Sequence, residues 1–189
     1  MLTPERIIDI AQALDPLGDL PRTGWVLRGV RPAESIAAHT YGVAVVAMLM
    51  VDALRAEGQV VDGERVLRMA LLHDAAEART GDIPMPNKTP GVDAALHEVE
   101  RAVIADMLPA DLAELWLEAE RHDSLEARIV KAADKLQMMI KVLVYEKQGR
   151  AGLEEYWHNP KNFRDAGLPV ARAVFQAILE RAGRALPGS

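Results

Sequence analysis

Residues Leu71 to Asp82 read LLHDAAEARTGD, and the fold turns on how this stretch is read. It places a histidine beside an aspartate, a glutamate three residues after the aspartate, and a second aspartate just past a glycine. At about 100° per residue, a helix through this stretch sets His73 and Glu77 about 40° apart, with Asp74 about 60° from Glu77. Leu71, Leu72, Ala75 and Ala76 supply apolar neighbours. A half-buried His-Asp pair needs a partner, because unpaired buried charge is costly. A divalent cation is one such partner; an amphipathic helix end with a solvated polar edge is the plain alternative.

Working outward, the flanking chain reads as helices. Upstream, Asp62 or Gly63 opens the helix that carries the doublet and runs to Thr80-Gly81. Before it, Ser35 caps a long helix that reaches Glu57 and stops at Gly58. His39 falls in the apolar row Ser35, His39, Val43, Ala47, Val51 of that helix. Thr3-Pro4 opens a first helix that ends near Leu14, and residues 16–34, rich in Gly and Pro, read as a loop. That loop carries Arg22, Trp25, Arg28 and Arg31, which fits either a ligand floor or a core plug with solvated arginines.

Downstream, GDIPMPNKTPG (81–91) reads as a tight proline-rich loop with Asp82 at its start. Thr89-Pro90 restarts helix as far as Leu108, Pro109 breaks it, and another helix covers Asp111 to Arg121. Ser124 caps a helix of some 25 residues whose row Val130, Asp134, Met138, Val142 holds one aspartate among apolar residues. Aspartate has poor propensity at mid-helix, so Asp134 is expected at the stripe's edge or bound to something. His97 and His122 have charged neighbours and are expected at the surface. Tyr156, Trp157 and Phe163 read as packing, Leu168 to Ala185 as a last helix, and the closing residues as a tail.

Composition narrows the class. The 189 residues suffice for one domain with a sizeable core, and residues 1–189 are read as a single unit. Apolar residues make up 50% while aromatics make up only 4%, so Ala, Leu and Val dominate and an all-α fold is expected. The absence of cysteine excludes disulfides, thiolate metal sites and cysteine nucleophiles. It also fits a reducing cytoplasm. A net charge of −6 argues against long nucleic acids as partners. No targeting segment is evident, and the most apolar run, Val43 to Val51, falls short of the roughly 20 residues of a membrane span. A cytoplasmic protein with no membrane partner is expected.

His39, His73 with Asp74, and Asp134 thus put unexplained polar groups on the apolar faces of three helices. Two imidazoles and two carboxylates suit one divalent ion (Co, Mn, Fe, Zn or Mg), with positions left for water and substrate. Such an open site can activate water and polarise a phosphoryl group.

The order H…HD…D, with the doublet in HDAAE, resembles the HD-domain superfamily of metal-dependent phosphohydrolases. RTGWVLRGVRPAESIAAHTYGVAVVAM, ALLHDAAEARTGDIP and EARIVKAADKLQMM together resemble the 5′-deoxynucleotidases of that superfamily, over roughly residues 20–148. The resemblance implies an HD-type bundle of about seven helices and a homodimer. It implies metal ligation by His39, His73, Asp74 and Asp134. It further implies that Glu77 orients or deprotonates the attacking water, and that Asp82 binds the sugar or helps protonate the leaving 5′-oxygen. Trp25 is then expected against the nucleoside, and Arg22 or Arg28, with Lys131, at the phosphate. The substrate implied is a 2′-deoxyribonucleoside 5′-monophosphate. Some relatives carry arginine immediately before the tryptophan; here that residue is Gly24, with Arg22 two positions earlier.

Three rivals follow from the same residues. A phosphodiesterase or nucleoside-triphosphate hydrolase of the same superfamily would use His97 and His122 for a second ion. A non-catalytic helical interaction module would be expected to have lost ligands or Glu77, all of which are present. A structural metal site is usually closed and often rich in cysteine, which this chain lacks.

Overall fold

The structure, a computed structural model, describes residues 2–84 and 89–186. Seven helices of ten residues or more are found there: α1 (Pro4–Leu14), α3 (Ile36–Ala56), α4 (Gly63–Leu72), α6 (Pro90–Met107), α7 (Ala110–Arg121), α8 (Leu125–Lys147) and α10 (Pro169–Ala182). Three short helices join them: α2 (Thr23–Leu27), α5 (Glu77–Thr80) and α9 (Glu154–His158). Among the described residues there is no strand, only an isolated bridge between Pro21 and Ser35. The fold is all-α, as the composition predicts.

The helix starts follow their caps. Ser35 Oγ accepts from the Ala38 amide at 3.2 Å, Asp62 Oδ1 from Arg65 at 3.0 Å, and Ser124 Oγ from Ala127 at 3.1 Å. Each cap satisfies an amide that the helix itself leaves unpaired, worth about 0.5–2 kcal/mol. Gly58, at φ 84°, turns the chain away after α3.

The core lies between α3 and α8, with α4 and α10 closing it. Ile36, Val43, Ala47 and Leu54 of α3 are fully buried, as are Ala132, Ala133, Leu136, Met139 and Val142 of α8. Burying each Val, Leu or Ile contributes roughly 1.5–3 kcal/mol, an upper range for a compact unfolded chain. Small side chains at 132 and 133 let the two helices approach closely. α3 is long and apolar enough, by length and composition, to cross a membrane, more so than its nine-residue run suggests. In this fold it is the central core helix, and it brings His39 inside.

A second cluster, under α6 and α7, gathers Leu72, Ala75, Ala76, Ile104, Met107 and Trp116. It holds the stretch that follows α4, and here the structure corrects the sequence reading. The helix through His73 to Thr80 is not continuous. α4 ends at Leu72, residues 73–76 form a tight turn, and α5 starts at Glu77. Amides of 75, 77 and 78 bond three residues back, to Leu72, Asp74 and Ala75, so the backbone winds more tightly than an α-helix. Side chains compete for the carbonyls that would have continued α4. His73 Nδ1 donates to Ala70 O at 2.8 Å, and Trp116 Nε1 donates to His73 O at 3.1 Å. The expected loop at 16–34 likewise contains a 3-10 turn, Asp15–Gly18, and the short helix α2. Residues 85–88 of the proline-rich loop and residues 187–189 of the tail lie outside the described residues.

Candidate active site

Three elements converge on one point. α3 delivers His39, the turn after α4 delivers His73 and Asp74, and α8 delivers Asp134. Ligand atoms of His39, His73 and Asp74 lie within 4.8 Å of one another. His39 Nε2 is 3.3 Å from Asp134 Oδ1 and 3.7 Å from Asp74 Oδ2. His73 Nε2 is 3.2 Å from that same Asp74 oxygen.

These residues fit a divalent cation. Both imidazole Nε2 atoms are buried and make no hydrogen bond, although carboxylate oxygens stand nearby. Buried polar atoms are ordinarily satisfied, so two orphaned imidazole nitrogens facing two carboxylates make a donor set suited to a cation. His73 already commits Nδ1 to the Ala70 carbonyl, which leaves its Nε2 lone pair for the centre.

The charges reinforce this. Burial opposes ionisation of Asp74, but His73, Arg22 and His39 around it hold its carboxyl well below the usual range. Burial is likewise overcome at Asp134, where Lys135 and His39 hold the pKa down. His73 is pushed down by burial and up, with greater effect, by Asp74. The result is a pair of ionised carboxylates inside the bundle.

A cleft of about 640 Å³ opens over this cluster. Arg22 sits at its edge with Nη1 3.2 Å from Asp74 Oδ2. Burial weakens the guanidinium charge, but Asp74 and Asp82 more than restore it and raise its pKa. The loop carrying Arg22 is pinned from two sides: Arg22 N donates to Glu34 O at 2.9 Å, and Thr23 N donates to Asp82 Oδ2 at 2.6 Å. Asp82 thus lines the cleft and also anchors the first turn of α2. Glu77, at the start of α5, lines the cleft beside the doublet. Along α8, Lys131, Asp134, Lys135 and Met138 form the wall, a spacing that puts them on one face.

Trp25 contributes to the cleft wall but is only 2% exposed. Tyr156 stacks on it with ring centres 4.7 Å apart, and Nε1 donates to Glu34 Oε1 at 2.8 Å. Arg28 also lines the cleft, in an ion pair with Glu155.

Four residues escaped the sequence reading. Tyr156 is part of the cleft wall rather than packing alone, and a Cβ on Gly24 would come within 2.9 Å of its hydroxyl. Glycine before the tryptophan is therefore matched to this tyrosine. His122 is half-buried rather than fully exposed. It takes a left-handed backbone, φ 54°, at the end of α7 and lines the cleft, where burial and Lys131 push its pKa down to about 4. His97 is half-buried, stacked on Trp116 at 6.0 Å and 3.9 Å from Glu120. Finally, Gln137 is buried and sits 2.6 Å from His39 Nδ1.

Comparison with known proteins identifies the family of the chain. A family model described as HD domain matches residues 14–167. The chain is 35% identical over 145 residues to the 5′-deoxynucleotidase HDDC2 of Homo sapiens, spanning 74% of this chain and 68% of that one. It is 31% identical over 156 residues to the 5′-deoxynucleotidase hdd1 of Schizosaccharomyces pombe, spanning 75% and 73%. The crystal structure of the PH0347 protein from Pyrococcus horikoshii OT3 superimposes with a TM-score of 0.79 at 32% identity, over 96% of this chain and 99% of that one.

Proposed function

Given that the chain belongs to the HD-domain family, we propose that it is a metal-dependent 5′-deoxynucleotidase. It hydrolyses 2′-deoxyribonucleoside 5′-monophosphates to deoxynucleoside and phosphate. The observation that carries this reading is the pair of orphaned imidazole Nε2 atoms facing two carboxylates, beside a cleft lined by Arg22, Lys131 and Glu77. The relatives named 5′-deoxynucleotidase, at 31–35% identity, support the substrate class.

His39, His73, Asp74 and Asp134 hold the cation. When bound, it supplies positive charge to the phosphoryl oxygens and acidifies water. Arg22 and Lys131 bind the phosphate. Arg22 is favoured over Arg28 because its Nη1 lies 3.2 Å from Asp74 at the cation site, whereas Arg28 pairs with Glu155. Glu77 takes the proton of the attacking water at its carboxylate, a task worth about 10²–10⁴ in rate. Attack on phosphorus proceeds in line with the 5′-oxygen, so the protein chiefly positions groups and neutralises charge. Asp82 uses Oδ2 to hold Thr23 and leaves Oδ1 for the sugar or the departing 5′-oxygen.

Discrimination against ribose falls to the Trp25 and Asp82 side of the cleft. A 2′-hydroxyl that meets the Trp25 wall rather than Asp82 Oδ1 is left without a partner, at a cost of about 1–3 kcal/mol, or roughly 5- to 150-fold in kcat/KM. Comparing dAMP with AMP checks this: preference for dAMP of that order is expected, and equal turnover would remove these residues from specificity.

His122 and Glu120 at the cleft favour a second reading, a two-ion HD phosphohydrolase acting on diesters or triphosphates. Elemental analysis separates the two: one tightly held ion per chain supports the monophosphatase. We also place the protein in the cytoplasm, in keeping with its lack of cysteine, and as a homodimer. The outer face of α3 exposes Tyr41 (71%), Met48 (43%) and Leu49 (59%), a stripe suited to a second copy. Sedimentation at twice the 20.7 kDa chain mass is the expected result; a monomer at assay concentration would overturn it.

A further inference from the structure

Three polar residues are buried together in the apolar seam between α3 and α8: Glu34, His39 and Gln137. Their bonds form a chain. His39 Nδ1 meets Gln137 Oε1 at 2.6 Å, and Gln137 Nε2 donates to Glu34 Oε2 at 3.2 Å. The Glu34 carboxylate also accepts from Trp25 Nε1 at 2.8 Å and faces Lys141 Nζ at 3.2 Å. Its own amide donates to the Tyr145 hydroxyl at 2.9 Å.

We propose that Glu34 is a positioning residue for the cation site: through Gln137 it fixes the His39 imidazole with Nδ1 protonated and Nε2 offered to the cation. A carboxylate only accepts, so Gln137 must turn its amino group to Glu34 and its carbonyl oxygen to His39. That oxygen only accepts in turn, which places the His39 proton on Nδ1. Nε2 then carries a lone pair, and it faces Asp74 and Asp134. Without Glu34 the amide of Gln137 is free to rotate and present a donor to Nδ1, the wrong arrangement for a ligand. Outer partners of this kind set ligand orientation and tautomer.

Gly42 gives independent support. It stands one turn after His39 in the middle of α3, where glycine weakens a helix. A Cβ there would come within 2.8 Å of Gln137 Cγ and 3.0 Å of its Nε2. The glycine leaves the space that Gln137 needs. Because Trp25 hangs on the same carboxylate, the cleft wall and a metal ligand share one anchor.

This inference rests on the metal site of the proposed function, and it is tested with metal alone. Metal-free wild type, Glu34→Gln and the double variant Glu34→Gln/Gln137→Glu are titrated with Mn²⁺ by calorimetry, with thermal melts of each metal-free protein. Glu34→Gln is expected to weaken Mn²⁺ binding by about 10–100-fold. The double variant is expected to recover, because the carboxylate at position 137 accepts from His39 Nδ1 while the amide at 34 donates to it. A purely structural role would instead lower the melting temperatures and leave affinity unchanged. In ¹⁵N-histidine-labelled, Zn²⁺-loaded wild type, His39 is expected to show a slowly exchanging Nδ1–H. Wild-type Mn²⁺ affinity in folded Glu34→Gln, or a solvent-exchanging Nδ1–H in wild type, would overturn the proposal; should the variants not fold, the wild-type spectrum decides. Failure of wild type to bind either ion would instead overturn the metal site itself, and this inference with it.

Discussion

Asp74→Asn is expected to lower phosphate release by about 10³-fold and to strip the protein of bound metal. One oxygen of Asp74 stands 3.2 Å from His73 Nε2, 3.7 Å from His39 Nε2 and 3.2 Å from Arg22 Nη1. No other atom in the cluster is shared by both imidazoles and the guanidinium. The substitution keeps the shape of the side chain but removes its charge, leaving the centre with Asp134 as its only carboxylate partner to His39. Lewis-acid stabilisation of a phosphoryl transition state is worth several kcal/mol, and each 1.36 kcal/mol is tenfold in rate. Elemental analysis and kcat/KM check the two halves of the expectation together, with circular dichroism confirming the helices. Asp74→Asn protein that keeps its metal and works within about tenfold of wild type would contradict the assignment of the doublet as ligand.

Glu77→Ala is the second large effect, and its signature differs. Glu77 opens α5, after the tight turn, and lines the same cleft as His73, Asp74 and Asp134. Removing it is expected to lower kcat by about 10²–10⁴ while metal content and KM change little, because the interaction lost is one made in the transition state. Loss of metal along with activity would instead make Glu77 a ligand. An unchanged kcat would move the base elsewhere, to His122 or Asp82 on the cleft wall.

Much of this site was legible before any coordinates. Ser35, Asp62 and Ser124 announce their helices by local chemistry, since a short side chain that caps an amide needs nothing from the rest of the fold. His39 and Asp134 stand out because an apolar row makes a polar residue conspicuous, and both prove to line one centre. The break at His73 was hidden for the opposite reason. Its cause is tertiary: Trp116 reaches from α7 to take the His73 carbonyl, while Ala75 and Ala76 read as good helix formers. α2 was obscured by the glycines and prolines around it, and its start is held by Asp82, a residue 59 positions away.

Gln137 and Glu34 illustrate a second limit. Glutamine next to Met138 in a long helix carries no signal of its own, and neither does Glu34 before a cap. Only their meeting at His39 gives them meaning. His122 read as surface because its neighbours Arg121 and Asp123 are charged. The left-handed backbone at 122 turns its ring inward while those neighbours stay exposed. Tyr156 fell into an aromatic patch that is part core and part cleft; Trp157 is buried while Tyr156, one residue before it, faces the opening.

The most direct test of the account is phosphate release from dAMP, dGMP, dCMP, dTMP and dUMP, beside the matching ribonucleotides. Each is assayed in Co²⁺, Mn²⁺ or Mg²⁺, and in EDTA. The account predicts release from the deoxy series, supported by at least one of these ions, abolished by EDTA and restored by adding the ion back. Release that persists undiminished in EDTA, or no release from any deoxynucleoside monophosphate in any of these ions, would contradict it.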